Sequence, residues 1–198
     1  MRTYKQKKYQ KGFTLIEIMV ATSIFVIVML ASMSSLFVML DAAKNSKALR
    51  FAMDNVNFAL ESMTRSIRMG TNYYCGTMGE YVDTSDLSST KNCSNLDTNG
   101  GTLLAFKSQY ATDDNKIVYK LSRGSNGNSY IARCESGNSC VSIVSPDVNI
   151  EKLKFFVDGA NDSDNKQANV YIIIKGTVMV KGVPTSFAIQ TLASKRNF

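Results

Sequence analysis

The chain has 198 residues, 44% hydrophobic and 20% charged, which suits a folded chain with room for one domain and an appendage. It has no histidine, which excludes Ser-His-Asp and Cys-His catalysis and histidine-ligated zinc, and it shows neither a Walker A nor a GxGxxG pattern for nucleotide phosphates. The net charge of +7 is concentrated at one end: residues 1–12 hold five basic side chains and no acid, while the remaining 186 residues carry 18 basic and 16 acidic groups. Charge so confined argues against nucleic acid as a partner, because phosphate readers spread Lys and Arg over a folded face.

The first predicted element is a membrane segment. Arg2, Lys5, Lys7, Lys8 and Lys11 precede an apolar run, the positive-inside pattern of an inserted helix. From Ile18 to Leu40 there are 23 residues without a charge. At about 1.5 Å per residue that run crosses a hydrocarbon core about 30 Å thick. A cleaved secretory signal would have an apolar region of about 7–15 residues ending at a small-x-small site. This run is longer and no A-x-A site ends it. A plain signal anchor accounts for the length and the basic flank but not for Glu17, set in Phe13-Thr14-Leu15-Ile16-Glu17-Ile18-Met19-Val20. An ionisable group deep in a membrane helix costs roughly 2.5–3.5 kcal/mol, and less toward the interface. Near the helix start the carboxylate meets the positive end of the helix dipole. A cut after Gly12 would also place a free amine at Phe13, one helical turn away.

Lys11-Gly12-Phe13-Thr14-Leu15-Ile16-Glu17, behind a basic leader and ahead of a long apolar run, resembles the type III signal of the type IV pilins and pseudopilins. The resemblance implies that a prepilin peptidase removes residues 1–12 by cutting between Gly12 and Phe13, and that Phe13 is then N-methylated. It implies that Glu17 pairs with the terminal amine of a neighbouring subunit during assembly. The implied partners are the peptidase, other pilin or pseudopilin subunits, an inner-membrane assembly platform and membrane lipid. No cofactor and no enzymatic activity are implied. The implied location is the cytoplasmic membrane, single-pass with the N-terminus cytoplasmic and the head outside, and then a filament. Residues 13–40 become the transmembrane and filament-core helix. Family members commonly carry a proline about twenty-two residues into the mature helix, where this chain reads Ala31-Ser32-Met33-Ser34-Ser35. That departure points toward a minor rather than a major subunit.

Helix continues past the membrane segment. Neither Gly nor Pro occurs in the 57 residues between Gly12 and Gly70. Leu49, Met53, Val56, Leu60, Met63 and Ile67 step by four and three, an apolar stripe that predicts core packing of residues 41–69 against a head domain. Residues 70–101 lose all periodicity and read as a polar loop. Strands are then predicted at Thr102–Lys107, Lys116–Leu121, Tyr130–Arg133, Val141–Val144, Val148–Val157, Asn169–Val180 and Thr185–Leu192. The turn signals between them are Asp113-Asp114-Asn115, Gly124–Gly127, Gly137-Asn138, Asp158–Asn165 and Lys181–Pro184. A long helix followed by an antiparallel sheet is an α+β fold, with residues 70–198 as the head. This is also the layout of pilin heads, and Ser186–Asn197 is similar to the closing strand of the larger minor pilins, PilW-like or J-type.

All four cysteines follow the membrane segment, on the oxidising side if the basic leader stays cytoplasmic. Three pairings exist, and Cys75–Cys93 with Cys134–Cys140 is the expected one because both close short local loops. A four-thiolate zinc site is disfavoured by the lack of CxxC pairs. Asp158, Asp162 and Asp164 form an oxygen-rich stretch, and some pseudopilin heads hold calcium near the C-terminus. The EF-hand order fails here, so a solvated turn is the simpler expectation. Ser88-Ser89-Thr90-Lys91 has the Ser-x-x-Lys spacing but sits in a polar loop, where lysine has no reason to lose its proton. Gly76–Gly79 and Gly124–Gly127 have the GxxG spacing of backbone clamps without opening a helix. Tyr73, Tyr74 and Tyr81 are either an adhesive patch or a cover for the helix–sheet seam.

The reading that results is a minor pilin or pseudopilin, a structural subunit. The alternatives are a DNA-uptake pilus subunit, or an extracytoplasmic binding protein or enzyme held by a plain membrane anchor.

Overall fold

The computed structural model describes residues 12–77, 87, 89–93, 100–108, 116–125, 127–135, 140–161, 166–180 and 182–196. The chain divides into two units at Ser46/Lys47. In the first, residues 15–46 are a single run of helix α1, which as a whole spans Leu15–Arg68. The absence of Gly and Pro lets α1 run unbroken, and it stops where Gly70 arrives.

The second unit begins with the last turns of α1. Their apolar stripe is inside: Val56, Met63 and Ile67 are fully buried, Leu60 nearly so, and Leu49 and Met53 pack against the same cluster half-buried. Small Ala52 and Ala59 are buried beside them and let the sheets approach closely. Eight strands follow, with every strand pairing antiparallel. They are β1 (Gly70–Gly76), β2 (Leu103–Ser108), β3 (Lys116–Arg123), β4 (Ser129–Cys134), β5 (Cys140–Ser142), β6 (Val148–Asp158), β7 (Asn169–Val180) and β8 (Val183–Ser194). The α+β class is therefore as expected.

Two features differ from the sequence expectation. There are two sheets rather than one, a five-stranded sheet β1-β2-β3-β4-β5 and a three-stranded sheet β6-β7-β8. The split falls after β5 at Ser145-Pro146-Asp147, where Val148 N–H closes a turn on Ser145 O (3.1 Å) and Ser145 N–H donates to Asn55 Oδ1 on α1 (2.8 Å). Period-two alternation reveals strands but not where one sheet ends, since every pairing here is between neighbours in sequence.

The second difference is β1, inside the segment that reads as loop. Its glycines and Asn72 mimic turn chemistry, yet distant partners hold it extended. It pairs with β2 across a bulge between Thr71 and Tyr74, and Asn72 takes a positive φ of 54° there, a conformation asparagine tolerates better than most residues. The Asn72 amide nitrogen donates to Leu87 O (3.2 Å). Tyr73 is fully buried, and its hydroxyl lies 2.6 Å from Ile67 O and 2.7 Å from Gly70 O, at the carbonyl end of α1. So the single Tyr73 hydroxyl hydrogen can serve Ile67 O, a helix-end acceptor of the kind left without a partner in the helix. Tyr73, Phe106 and Tyr119 stack in sequence at 5.9 and 6.0 Å between ring centroids.

The main core lies between α1 and the inner faces of both sheets, with Leu104, Phe106 and Tyr119 from one sheet and Ile150, Leu153, Phe155, Ile172 and Ile174 from the other. A smaller cluster of Leu87, Leu103, Ala105, Val118, Ala132 and Cys134 covers the opposite face of the five-stranded sheet. Gly176 on β7 shows how tight the packing is: a Cβ there would stand 2.5 Å from Asn149 O and 2.8 Å from the Phe187 ring.

Candidate functional site

The candidate site is the start of α1. Gly12, Phe13 and Thr14 are non-helical and exposed, and the helix begins at Leu15. Thr14 is the residue that starts it: Glu17 N–H donates to Thr14 O (3.1 Å), as does Ile18 N–H (3.3 Å). In return, the Thr14 backbone N–H and hydroxyl each donate to Glu17 Oε2 at 3.4 Å. Thr14-x-x-Glu17 has the capping-box spacing and makes one half of it, in which the third helical residue reaches back to the cap. The carboxylate also sits where the helix dipole favours negative charge.

The capping role of Thr14 is the functional detail that the sequence reading missed. Its signal was present, because Ser/Thr three residues before Glu at the head of an apolar run is the sequence mark of this device. The same residues that resemble a processing signal therefore also nucleate the helix.

Gly12 is open: nothing would stand within 4 Å of a Cβ placed on it. Phe13 is 78% exposed. Gly12–Phe13 is accordingly an accessible, non-helical peptide bond, as a protease requires. Downstream, every side chain through residue 48 is exposed, including Ile18, Ile24, Phe25, Ile27, Leu30, Phe37 and Leu40. Here Thr22, Ser23, Ser32 and Ser34 turn their hydroxyls onto carbonyls three or four residues back, at 2.7–3.1 Å. That removes their polarity from the surface. By length and composition α1 holds one span apolar enough to cross a membrane, with mean hydropathy 2.4 over its best window.

The other singled-out residues lie apart from this site. Cys75 is joined to Cys93, with Cα atoms 5.8 Å apart, and Cys134 to Cys140, 4.0 Å apart. No cysteine is free. Asp158 ends β6, whereas Asp162 and Asp164 lie outside the described residues, as do Gly79, Tyr81 and Ser88. No cluster of three or more metal-type ligands occurs among the described residues. Tyr73 is a core residue, and Tyr74 lies under Lys91, whose Nζ is 5.5 Å from the ring centroid. Gly124 and Gly127 lie between β3 and β4, where Gly124 N–H donates to Asn128 O (2.7 Å) and Gly127 N–H to Gly124 O (3.1 Å). In the head, burial is the main cause that holds the Tyr119 hydroxyl above its ordinary pKa, opposed by Ser66 and Arg133 nearby.

Residues 7–33 match the prokaryotic N-terminal methylation motif. The match takes in the end of the basic N-terminal stretch, the Gly12–Phe13 bond, the Thr14–Glu17 pair and most of the apolar run. No curated protein and no solved structure matches the chain.

Proposed function

From an N-terminus that carries the prokaryotic methylation motif, and so supports membership of the type IV pilin and pseudopilin family, we propose that this chain is a minor pilin or pseudopilin. It is a structural subunit of a pilus or of a secretion pseudopilus, not an enzyme. The motif implies prepilin peptidase processing and subunit assembly, and the apolar helix suits membrane anchoring. In detail, residues 1–12 are the cytoplasmic leader, cut after Gly12, and Phe13 is methylated. Residues 13–40 hold the subunit in the membrane until the assembly platform moves it into a filament, where they pack among neighbouring helices.

The observation that carries this reading is Glu17. It is an exposed carboxylate in the first turn of a helix whose next 23 residues have no charge. Among the described residues its side chain meets Thr14 alone, at 3.4 Å. Such a group is costly in lipid unless a cation meets it. In a filament the Phe13 amine of an adjacent subunit supplies that cation, in a low dielectric where attraction is stronger than in water.

Glu17→Gln tests the assignment, because it keeps shape and the capping acceptor and removes the charge. The expected outcome is normal membrane insertion, normal cleavage and poor entry into filaments. It is read as sheared filament against membrane pool in cells without the wild-type copy. Incorporation at wild-type level would show that Glu17 is not the assembly contact.

A further inference from the structure

The two sheets have four edge strands, and three of them are blocked. The outer edge of β1 takes a parallel bridge from Lys91: Cys75 N–H donates to Lys91 O (3.0 Å) and Lys91 N–H to Tyr73 O (3.1 Å). Strand β5 has only three residues and is tied to β4 by the Cys134–Cys140 disulfide. The outer edge of β6 is bulged near Ile150 and Lys152 and carries Glu151, Lys152 and Lys154. It is also occupied: Phe155 and Gly101 exchange two hydrogen bonds of 2.8 Å, and Cys93 N–H donates to Val157 O (3.0 Å). Bulges, charges, prolines, shortness and covering are known ways of protecting a sheet edge from pairing.

Strand β8 has one of them, Pro184 near its start, and none of the others. Its 12 residues, Val183–Ser194, pair with β7 one for one without a register shift. It contains no charged side chain. Among the described residues no backbone bond reaches the outer edge of Val183–Ser194; the Ser194 hydroxyl donates to Asn169 Oδ1 on β7, and just past the strand Arg196 N–H donates to Arg68 O (2.9 Å).

The ladder parity says which groups are free. Phe155 gives both its bonds to Gly101, so it is not bonded to its β7 neighbour Ile172. Ile172 must then bond Thr191 on β8, and the alternation of antiparallel ladders follows from that pair. The outward backbone groups of β8 belong to Pro184, Ser186, Ala188, Gln190, Leu192 and Ser194. Pro184 has no N–H to lose, which is why proline is tolerated facing outward there.

We infer that this edge docks a second copy of the chain, with β8 pairing antiparallel to the copy's β8 and joining two three-stranded sheets into one of six. Among the described residues β8 is the one long edge with an open ladder, so a copy has only its own β8 with which to complete it. A charge-free strand opposes no like charges when it meets itself. The register follows from the outward set. All six residues pair when Ala188 faces Gln190, Ser186 faces Leu192 and Pro184 faces Ser194, with the two-fold axis at Ile189. That arrangement leaves the proline at the ladder's ends, where its missing donor matters least. On the outer face, Phe156, Tyr171 and Leu192 stand in one cross-strand row, with Tyr171 54% and Leu192 47% exposed. Pairing carries that row across the junction and covers Leu192. Anchoring in one membrane would raise the effective concentration of the two edges; that clause and the membrane setting of the test rest on the membrane reading.

The test uses the full-length chain in membranes, as two differently tagged copies. Because no native cysteine is free, introduced thiols report alone to a short bismaleimide. Opposed positions lie about 4.5–5.5 Å apart between Cβ atoms. The expected result is a cross-linked, doubly tagged dimer from Ala188→Cys with Gln190→Cys, and from Ser186→Cys with Leu192→Cys. Two copies bearing Glu151→Cys on the far strand should not link. Adding Ala188→Pro, which removes an outward donor, or Ala188→Lys, which charges the edge, to the Ser186/Leu192 pair should lower cross-linking about tenfold or more. The Lys variant carries the test if the Pro variant misfolds, and formation of both native disulfides reports folding. Absence of the dimer, linking at Glu151 as efficient as at the edge, or folded Ala188→Lys protein that still links would each overturn the proposal.

Discussion

Residues 15–46 and residues 47–68 belong to one helix, and they differ in what their apolar side chains meet. In the second stretch most apolar residues form a stripe that the head's sheets cover, while Phe51 and Phe58 stay exposed with charged residues such as Arg50, Asp54, Glu61 and Arg65. In the first stretch the apolar residues run all round the helix and every one is exposed. The comparison teaches that apolar content alone does not make a core. A stripe can be satisfied by the chain's own sheets, whereas an apolar cylinder needs lipid or other helices. The chain folds half of its helix by itself and leaves the other half for an environment it does not contain.

The largest effect that would break this comparison is a charge in the buried stripe. Val56 is fully buried between α1 and the sheets. Val56→Asp should unfold the head, because an unpaired buried carboxylate costs more than the roughly 5–15 kcal/mol stability of a domain can readily absorb. The milder Val56→Ala should cost on the order of 1–3 kcal/mol by denaturant titration. Val28→Ala, in the first stretch, should leave the head's unfolding transition unmoved. A matching loss from Val28→Ala would mean that the first stretch also stabilises the head.

Next in size are the disulfides, which belong wholly to the second unit. Cys75 and Cys93 are 18 residues apart, and Cys134 and Cys140 are 6 apart. In the chain-entropy picture, removing the first bridge costs about 3 kcal/mol and removing the second costs less. Cys75→Ala with Cys93→Ala should therefore lower the head's stability more than Cys134→Ala with Cys140→Ala, with membrane insertion unchanged in both.

Much of this division is legible in the residues. The unbroken charge-free run, the stripe from Leu49 to Ile67 and the strands from β2 to β8 all follow from periodicity and from the placing of Gly and Pro. At the candidate site Gly12, Phe13 and Glu17 are visible as a motif, and Thr14 is visible in principle through its spacing to Glu17. Strand β1 is not legible, because what holds it extended comes from residues distant in sequence: β2, Leu87, Lys91 and the Cys93 sulfur. Nor is the division into two sheets, which depends on how Ser145 meets Asn55 on the helix rather than on any local pattern.

The smallest effect is a pH slope confined to the head. Burial holds the Tyr119 hydroxyl above its ordinary pKa, so the folded state keeps the proton after the unfolded chain has begun to lose it. The stability tied to that neutral hydroxyl is complete below about pH 10 and declines as pH rises through the raised folded value. Tyr119→Phe should be less steeply destabilised than wild type above about pH 10, by urea midpoints, and should follow wild type at pH 7–8 apart from a constant offset. Parallel curves would show that Tyr119 does not couple to folding.

The central claim is that the start of α1 is a processed assembly signal. It is tested most directly by the intact mass and N-terminal residue of the protein extracted from its native membrane. The account predicts a chain that lacks residues 1–12 and begins at Phe13 with one added methyl on its amine. It also predicts that Gly12→Val, which puts a branched side chain at the open glycine, yields only the full-length precursor. Wild-type protein that retains Met1 through Gly12, or Gly12→Val protein of the mature mass, would contradict it.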